Sequence, residues 1–128
     1  MRLMIKAAGQ RTIVVGSTGC MYVANTTYYS TPWVVPWMHT QLGSSGSAAT
    51  GTAAGLASMM RKGKMHKEPS NVIAFCGDGG GADMGLAAIP AALQHDEYNL
   101  LILMYDHDSS ATTDIQASGS TPSRPNPT

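Results

Sequence analysis

The most constraining feature of this sequence is an apolar run over residues 71–76 that ends in the tripeptide Gly77-Asp78-Gly79. A second apolar run follows and ends in another acidic segment about thirty residues further along. Glycines after a strand let backbone N–H groups approach a bound anion closely, whereas a carboxylate in the same place attracts cations. Both chemistries in one tripeptide indicate a binding site at the end of a buried strand.

An aspartate between phosphate-facing glycines would repel a phosphate group unless a cation lay between the two. Asp78 therefore predicts a bound Mg²⁺, which proteins usually hold through one or two carboxylates together with ligand phosphates. A second protein ligand is expected where the neighbouring strand ends, at the Tyr-Asp-His-Asp segment of residues 105–108. The two apolar runs together predict a metal-assisted diphosphate site.

Strand-like and helix-like segments alternate along the chain. Predicted strands cover residues 12–15, 71–76 and 99–105, and predicted helices cover residues 47–61 and 83–94. A loop is expected up to about His39, while Asp83 is expected to cap the second helix and Pro90 to kink it. Strands separated by helices predict an α/β fold with a parallel sheet flanked by helices. The strands that lead to Asp78 and His107 should end at the same edge.

Composition favours one α/β domain over residues 1–116, followed by a Ser/Thr/Pro-rich loop or tail over residues 117–128. Charged residues make up only 12% of the chain and the formal net charge is zero, so no electrostatic footprint for nucleic acid is present. The apolar run at residues 100–105 is far shorter than the roughly 20 residues that span a bilayer. It is expected to be a buried strand, and a cytoplasmic location is the default expectation.

The segments around the tripeptide resemble the β subunit of pyruvate synthase and related 2-oxoacid:ferredoxin oxidoreductases. This family carries a Gly-Asp-Gly followed about thirty residues later by a polar metal ligand, and here His107 lies 29 positions after Asp78. The segments that match in family order are residues 12–15, 18–20, 33–39, 76–80, 82–86, 105–106, 115–116 and 120–122. The resemblance covers nearly the whole chain and implies a partial thiamine diphosphate-binding fold.

The resemblance also implies a set of site residues. The cofactor-binding set is Gly77, Asp78, Gly79, Gly80 and Thr112, and the Mg²⁺ ligands are Asp78, His107 and the backbone carbonyl of Ser109. His107 stands where the family usually has Asn or Thr, and Thr112 stands where it has Asn. The glutamate that activates the cofactor comes from another subunit or domain in related enzymes, so no catalytic residue is assigned to this chain.

The implied activity is oxidative decarboxylation of a 2-oxoacid such as pyruvate to acyl-CoA, with electrons passing through iron–sulfur clusters to ferredoxin. The implied partners are the other oxidoreductase subunits, ferredoxin, the 2-oxoacid and coenzyme A. Only Cys20 aligns with the four cysteines that hold a [4Fe–4S] cluster in the family, so this chain alone is expected to hold no cluster and to be inactive. We expect a chain truncated at both ends, and the sequence does not indicate which 2-oxoacid is used.

Two alternatives remain open at this point. The glycines of residues 77–82 also fit a loose dinucleotide-binding pattern, with Asp106 placed to bind a ribose hydroxyl, and Mg²⁺ dependence would separate this nucleotide-binding domain from the first interpretation. A non-catalytic remnant or interaction subunit would instead bind a partner and ignore thiamine diphosphate. His39 could contact substrate, or its hydrogen bonds could be satisfied by the local backbone. Cys76 is expected to lie in the hydrophobic core.

Overall fold

The structure is a computed structural model that describes residues 1–19, 33–96, 98–109 and 116–123. In chain order its helices are α1 (Arg2–Ala8), α2 (Ser45–Arg61) and α3 (Ala88–Leu93), with a π-helical turn at Gly79–Asp83. Its strands are β1 (Thr12–Ser17), β2 (Trp37–Thr40), β3 (Asn71–Gly77) and β4 (Leu100–Tyr105). Within these ranges, no helix is long and apolar enough to cross a membrane.

The four strands form one sheet in the order β2-β1-β3-β4, and every neighbouring pair is parallel. The α/β prediction is therefore confirmed. From β1 the chain passes to β2 on one side, and after α2 it returns to β3 on the other side of β1. The strand order thus reverses between β1 and β3, and open α/β sheets bind their ligands outside the carboxyl ends of the strands at such a point.

Two apolar layers cover the sheet because alternate residues of a strand point to opposite faces. On one face, α2 packs its buried Ala49 and Ala53 against Val72 and Ala74. These small side chains let the helix lie close to the sheet. The other face is covered by α1 and by the segment before β2, where buried Ile5, Val14, Val35, Ile73 and Phe75 form a cluster.

The segment before α2 differs from the sequence prediction. Trp37–Thr40, expected to belong to a loop, forms the edge strand β2 and pairs with β1 from Val14↔Trp37 to Ser17↔Thr40. The indole of Trp37 lies over Gly16, where a Cβ atom would come within 3.2 Å of the ring nitrogen. The sheet register, rather than local propensity, makes this segment extended. Helix α1 was also absent from the prediction.

The segment after β3 also differs from the sequence prediction. Of the helix predicted for residues 83–94, only Ala88–Leu93 is α-helical, and Asp83 is instead the last residue of the π-helical turn. Asp83 does not cap a helix, because its carboxylate accepts the backbone N–H of Gly119. Pro90 is the third residue of α3, so it lies in the first turn, where its missing N–H breaks no intrahelical bond and no kink is needed.

Strand β4 is less buried than predicted. Among the described residues it has a sheet neighbour on one side only, β3. Leu101, Met104 and Tyr105 are each about half exposed, although the run reads as uniformly apolar in the sequence. β4 is therefore an edge strand here rather than a buried strand.

Candidate functional site

Asp78 lies directly after β3 at the carboxyl edge of the sheet, and it is 1% exposed. Its backbone is already helical, so the chain turns straight from the strand into the π-helical turn. The backbone is tightly packed just after the π-helical turn, where Gly80 and Gly43 lie close to Gly85. A Cβ on Gly85 would clash with the carbonyl oxygen of Gly80 and lie 2.7 Å from that of Gly43, so only glycine fits there.

Both oxygens of the Asp78 carboxylate have side-chain partners. Nδ1 of His107 lies 2.9 Å from Oδ1, and the hydroxyl of Ser118 donates to Oδ2 at 2.6 Å. Asp78 and His107 were predicted to lie close together, and they are in direct contact. Because His107 follows β4, this contact joins the carboxyl ends of two adjacent strands.

Opposing effects act on the pKa of the Asp78 carboxyl. Burial raises it, because charge is disfavoured away from water. The hydrogen bonds from Ser118 and from the backbone, together with the charge and hydrogen bond of His107, outweigh burial and leave the pKa below its usual value. Asp78 is therefore a carboxylate at neutral pH, as a metal ligand must be.

The loop after β4 is held by its own hydrogen bonds. The backbone N–H of Asp108 donates to Oδ1 of Asp106 at 2.9 Å, and Asp108 has a positive φ of 59°. Such a conformation is uncommon outside glycine, and Asp tolerates it better than most residues. Ser109 turns its hydroxyl back to the carbonyl of His107 at 3.5 Å. The loop that holds the proposed ligands His107 and Ser109 is thus shaped by short-range polar contacts.

The remaining predicted cofactor residues have different surroundings. No heavy atom outside its chain neighbours lies within 4 Å of the position that a Cβ on Gly77 would take, so a ligand could approach this backbone. Gly79 and Gly80 are buried, and Gly80 faces Leu42 and the hydroxyl of Ser17. Thr112 and Cys20 lie outside the described residues.

Three contacts of this edge were not predicted from the sequence. Ser118 and Asp83 both belong to the network around Asp78, and the hydroxyl of Thr18, just after β1, lies 2.9 Å from Nε2 of His39, which also stacks on Trp37. Thr18 and His39 lie in the matching segments, and His39 was predicted to contact substrate or to be satisfied by local backbone, whereas here its ring nitrogen contacts the side chain of Thr18. Ser118 had no signal of its own, because serine is common in loops.

The Asp78 carboxylate offers hard oxygen donors, which suit Mg²⁺ better than a softer metal. The described ranges hold no group of three His, Cys, Asp or Glu side chains placed to bind a metal together. Proteins commonly bind Mg²⁺ through one or two carboxylates, and ligand phosphates and water then complete its coordination. A single buried carboxylate fits this arrangement. His107 is the exception, since an imidazole is a poor Mg²⁺ ligand, and its Nδ1 is directed at Asp78.

Comparisons with known proteins agree with this geometry. Residues 17–127 match the family described as "Thiamine pyrophosphate enzyme, C-terminal TPP binding domain". Pyruvate synthase subunit PorB of Methanocaldococcus jannaschii is 42% identical over 94% of this chain and 41% of its own length. PorB of Methanothermobacter thermautotrophicus is 38% identical over 94% of the chain and 40% of its own length.

Ketoisovalerate oxidoreductase subunit VorB of Pyrococcus horikoshii is 32% identical over 95% of the chain and 39% of its own length. The chain thus spans about two fifths of the length of the curated relatives it matches. The resemblance to the β subunit of pyruvate synthase is confirmed, and the family match covers most of the chain, including β3, β4 and both partners of Asp78. The chain belongs to the thiamine pyrophosphate enzymes, through their C-terminal cofactor-binding domain.

Proposed function

We propose that this chain supplies the diphosphate- and Mg²⁺-binding part of a 2-oxoacid:ferredoxin oxidoreductase. The observation that carries the proposal is the Asp78 carboxylate, which is buried, charged and placed at the carboxyl edge of a family-matched sheet. A buried carboxylate is costly unless it is paired, and here its two polar partners offset the cost. Such a preorganised anion next to the open backbone of Gly77 is the environment that a metal-bridged diphosphate requires.

In this proposal each residue has a separate role. Asp78 holds Mg²⁺ through a carboxylate oxygen, and the backbone of Gly77, Gly79 and Gly80 contacts the diphosphate. The loop after β4 closes the site through His107 and the carbonyl of Ser109, and Thr112 contacts the cofactor. When bound, the cofactor supplies the electron sink for decarboxylation of a 2-oxoacid, while the protein supplies binding, orientation and electrostatics.

The relatives named as subunits of pyruvate synthase and ketoisovalerate oxidoreductase support further parts of the proposal. We assign to this chain a role in a hetero-oligomer in which other subunits complete the pocket and carry electrons to ferredoxin, with coenzyme A as acyl acceptor. The [4Fe–4S] cluster, the inactivity of the isolated chain and the cytoplasmic location remain predictions. The nature of the 2-oxoacid is left open by the two kinds of relative.

The nucleotide-binding alternative is less favoured by the contacts of Asp106. Its Oδ1 accepts both the hydroxyl of Ser120 at 2.9 Å and the backbone N–H of Asp108, so this carboxylate already has a structural role in tying the loop after β4 to residue 120. The family match also covers this segment. A non-catalytic remnant subunit would keep the fold but show no affinity for thiamine diphosphate.

The decisive experiment is a calorimetric titration of the purified chain with thiamine diphosphate, with Mg²⁺ and with EDTA. We expect binding that requires Mg²⁺, because the Asp78 carboxylate would otherwise repel the diphosphate. Binding of a dinucleotide without Mg²⁺ would favour the nucleotide-binding alternative. Absence of thiamine diphosphate binding under both conditions would contradict the proposal and favour a remnant subunit.

A further inference from the structure

Ser118, Gly119, Ser120 and Thr121 form a turn that packs on the carboxyl edge of the sheet, and the proposed function assigns it no role. Two hydrogen bonds donated by backbone N–H groups close the turn between its ends. The backbone N–H of Thr121 donates to the carbonyl of Ser118 at 3.0 Å, and the N–H of Ser118 donates to the hydroxyl of Thr121 at 2.7 Å. We call residues 118–121 the clasp.

Two residues of the clasp hold the segment after β3. The hydroxyl of Ser118 donates to Oδ2 of Asp78 at 2.6 Å, a length typical of a strong O–H···O⁻ hydrogen bond. The backbone N–H of Gly119 is shared by the two carboxylate oxygens of Asp83, at 2.9 and 3.1 Å. The first half of the clasp is thus bound to both acidic residues that frame the π-helical turn.

The other two residues of the clasp hold the loop after β4. The hydroxyl of Ser120 donates to Oδ1 of Asp106 at 2.9 Å, and the hydroxyl of Thr121 donates to the backbone carbonyl of Asp108 at 2.6 Å. Each hydroxyl carries one proton, so these bonds and that of Ser118 use the three hydroxyl protons of the clasp completely. One short turn therefore ties the two strand ends together on both sides of the Asp78–His107 contact.

We propose that the clasp is a positioning element for the metal site. Ser118 fixes the rotation of the Asp78 carboxylate by holding Oδ2, so that Oδ1 is the oxygen presented toward His107 and the metal. Ser120 and Thr121 set the distance between Asp78 and the loop that holds His107 and Ser109. This inference rests on the proposed function, because it assumes that Asp78 binds Mg²⁺.

The test measures Mg²⁺ affinity of the full chain in the presence of saturating thiamine diphosphate, for wild type and four variants. Ser118→Ala should weaken Mg²⁺ binding about 10-fold or more, the range typical of losing a hydrogen bond to a metal ligand. Ser118→Thr keeps the hydroxyl and should restore most of the affinity. Ser123→Ala, which removes a hydroxyl from an exposed residue just beyond the clasp, is the matched control and should equal wild type.

Gly119→Ala tests the clasp without removing a hydroxyl. An added Cβ would lie 2.8 Å from Oδ1 of Asp83, so either that carboxylate or the turn must shift, and the hydrogen bonds between the Gly119 N–H and Asp83 are disturbed. We expect weaker Mg²⁺ binding and faster exchange of the residue 119 amide proton, measured by NMR. Retention of both wild-type affinity and slow exchange would overturn the proposal.

Metal selectivity separates positioning from general structural support. Mg²⁺ requires nearly ideal octahedral geometry, whereas Ca²⁺ accepts flexible coordination, so loss of positioning should weaken Mg²⁺ binding more than Ca²⁺ binding. Equal losses for both ions, accompanied by a lower unfolding midpoint of the cofactor-free chain, would reduce the clasp to a structural role and overturn the inference. If the wild type binds no Mg²⁺ in the presence of thiamine diphosphate, the proposed function itself is refuted. If the wild type binds Mg²⁺ and Ser118→Ala binds it equally well, only the positioning role is refuted.

Discussion

Strands β3 and β4 lie side by side and are both apolar, yet they differ sharply in burial. Ile73 on β3 is 2% exposed, whereas its register partner Leu101 on β4 is 49% exposed. The same contrast holds at their ends, because the Asp78 side chain is 1% exposed and that of His107 is 25% exposed. The site therefore combines one residue on a rigid, fully packed strand with one on a less constrained edge.

This contrast in burial predicts that Asp78 and His107 differ in how well they tolerate substitution. A buried carboxylate at the end of a central strand is fixed by packing and by paired hydrogen bonds, so its replacement would leave unpaired partners in a low-dielectric environment. A residue on the edge loop keeps contact with solvent and has more freedom to change. His107 lies on this edge loop, and the resemblance predicts that it stands where the family has Asn or Thr.

The largest effect is expected from Asp78→Ala. This variant should lose Mg²⁺-dependent binding of thiamine diphosphate, about 100-fold or more, because the metal loses its carboxylate. The exposed Asp96→Ala is the matched control and should bind as wild type does. Calorimetry checks both affinities, and circular dichroism checks that the fold is kept. Unchanged affinity in Asp78→Ala would refute the site assignment.

The second prediction compares Ile73→Ala with Leu101→Ala, which remove side chains from register partners on β3 and β4. Ile73→Ala should lower the free energy of unfolding by about 2–5 kcal/mol, since it creates a cavity in the core. Leu101→Ala should cost about 1 kcal/mol or less, because half of that side chain is already in water. Urea denaturation measures both, and similar losses would mean that β4 is covered in solution.

The third prediction concerns the edge loop. His107→Asn restores an oxygen donor of the kind the family uses, so Mg²⁺-dependent cofactor binding should tighten a few-fold, on the order of 1 kcal/mol or less. His107→Ala, which removes the contact with Asp78 and offers no donor, should not show this gain. Weaker binding of the Asn variant would indicate that the imidazole has a role of its own or that the site takes a softer metal.

The smallest predicted effect is a pH dependence from Cys76 on β3. Burial raises the pKa of this thiol above its ordinary value of 9.0, and the hydrogen bond with Ser45 lowers it by less. Stabilisation by the protonated thiol is therefore complete below the unfolded pKa, and it is lost as pH rises through the folded pKa. Relative to Cys76→Ala, wild type should lose about 1 kcal/mol or less between pH 8 and pH 10 in urea denaturation. An equal pH dependence of both proteins would contradict the burial of the thiol.

The sequence predicted those parts of the fold in which local pattern and tertiary context agree. The apolar runs of β1, β3 and β4 and the small-residue helix α2 were found, because burial selects their residues directly. β2 was missed because it is a four-residue edge strand containing His39 and Thr40, and only pairing with β1 makes it extended. Asp83 was assigned as a helix cap because its residue type favours caps, whereas its actual partner is distant Gly119.

In the candidate site, too, only the features that local pattern determines were predictable. The proximity of Asp78 and His107 was predictable, since parallel strands place their carboxyl ends together. The contact with Ser118 was not, because it joins residues 40 positions apart through a hydroxyl in a serine-rich segment with no distinctive period. The degree to which β4 is exposed was also hidden, because a run of leucines reads the same in a central strand and in an edge strand.

The half-covered strand β4 has a consequence for handling the protein. In the part of the chain that the structure describes, β4 pairs on one side only, so its outer edge is a template for strand addition by another chain, and a formal net charge of zero gives little repulsion against it. Concentrated preparations should therefore self-associate, and light scattering should report growing particles as concentration rises. Leu101→Lys would place a charge on this edge and oppose strand addition, while β3 and Asp78 stay unchanged.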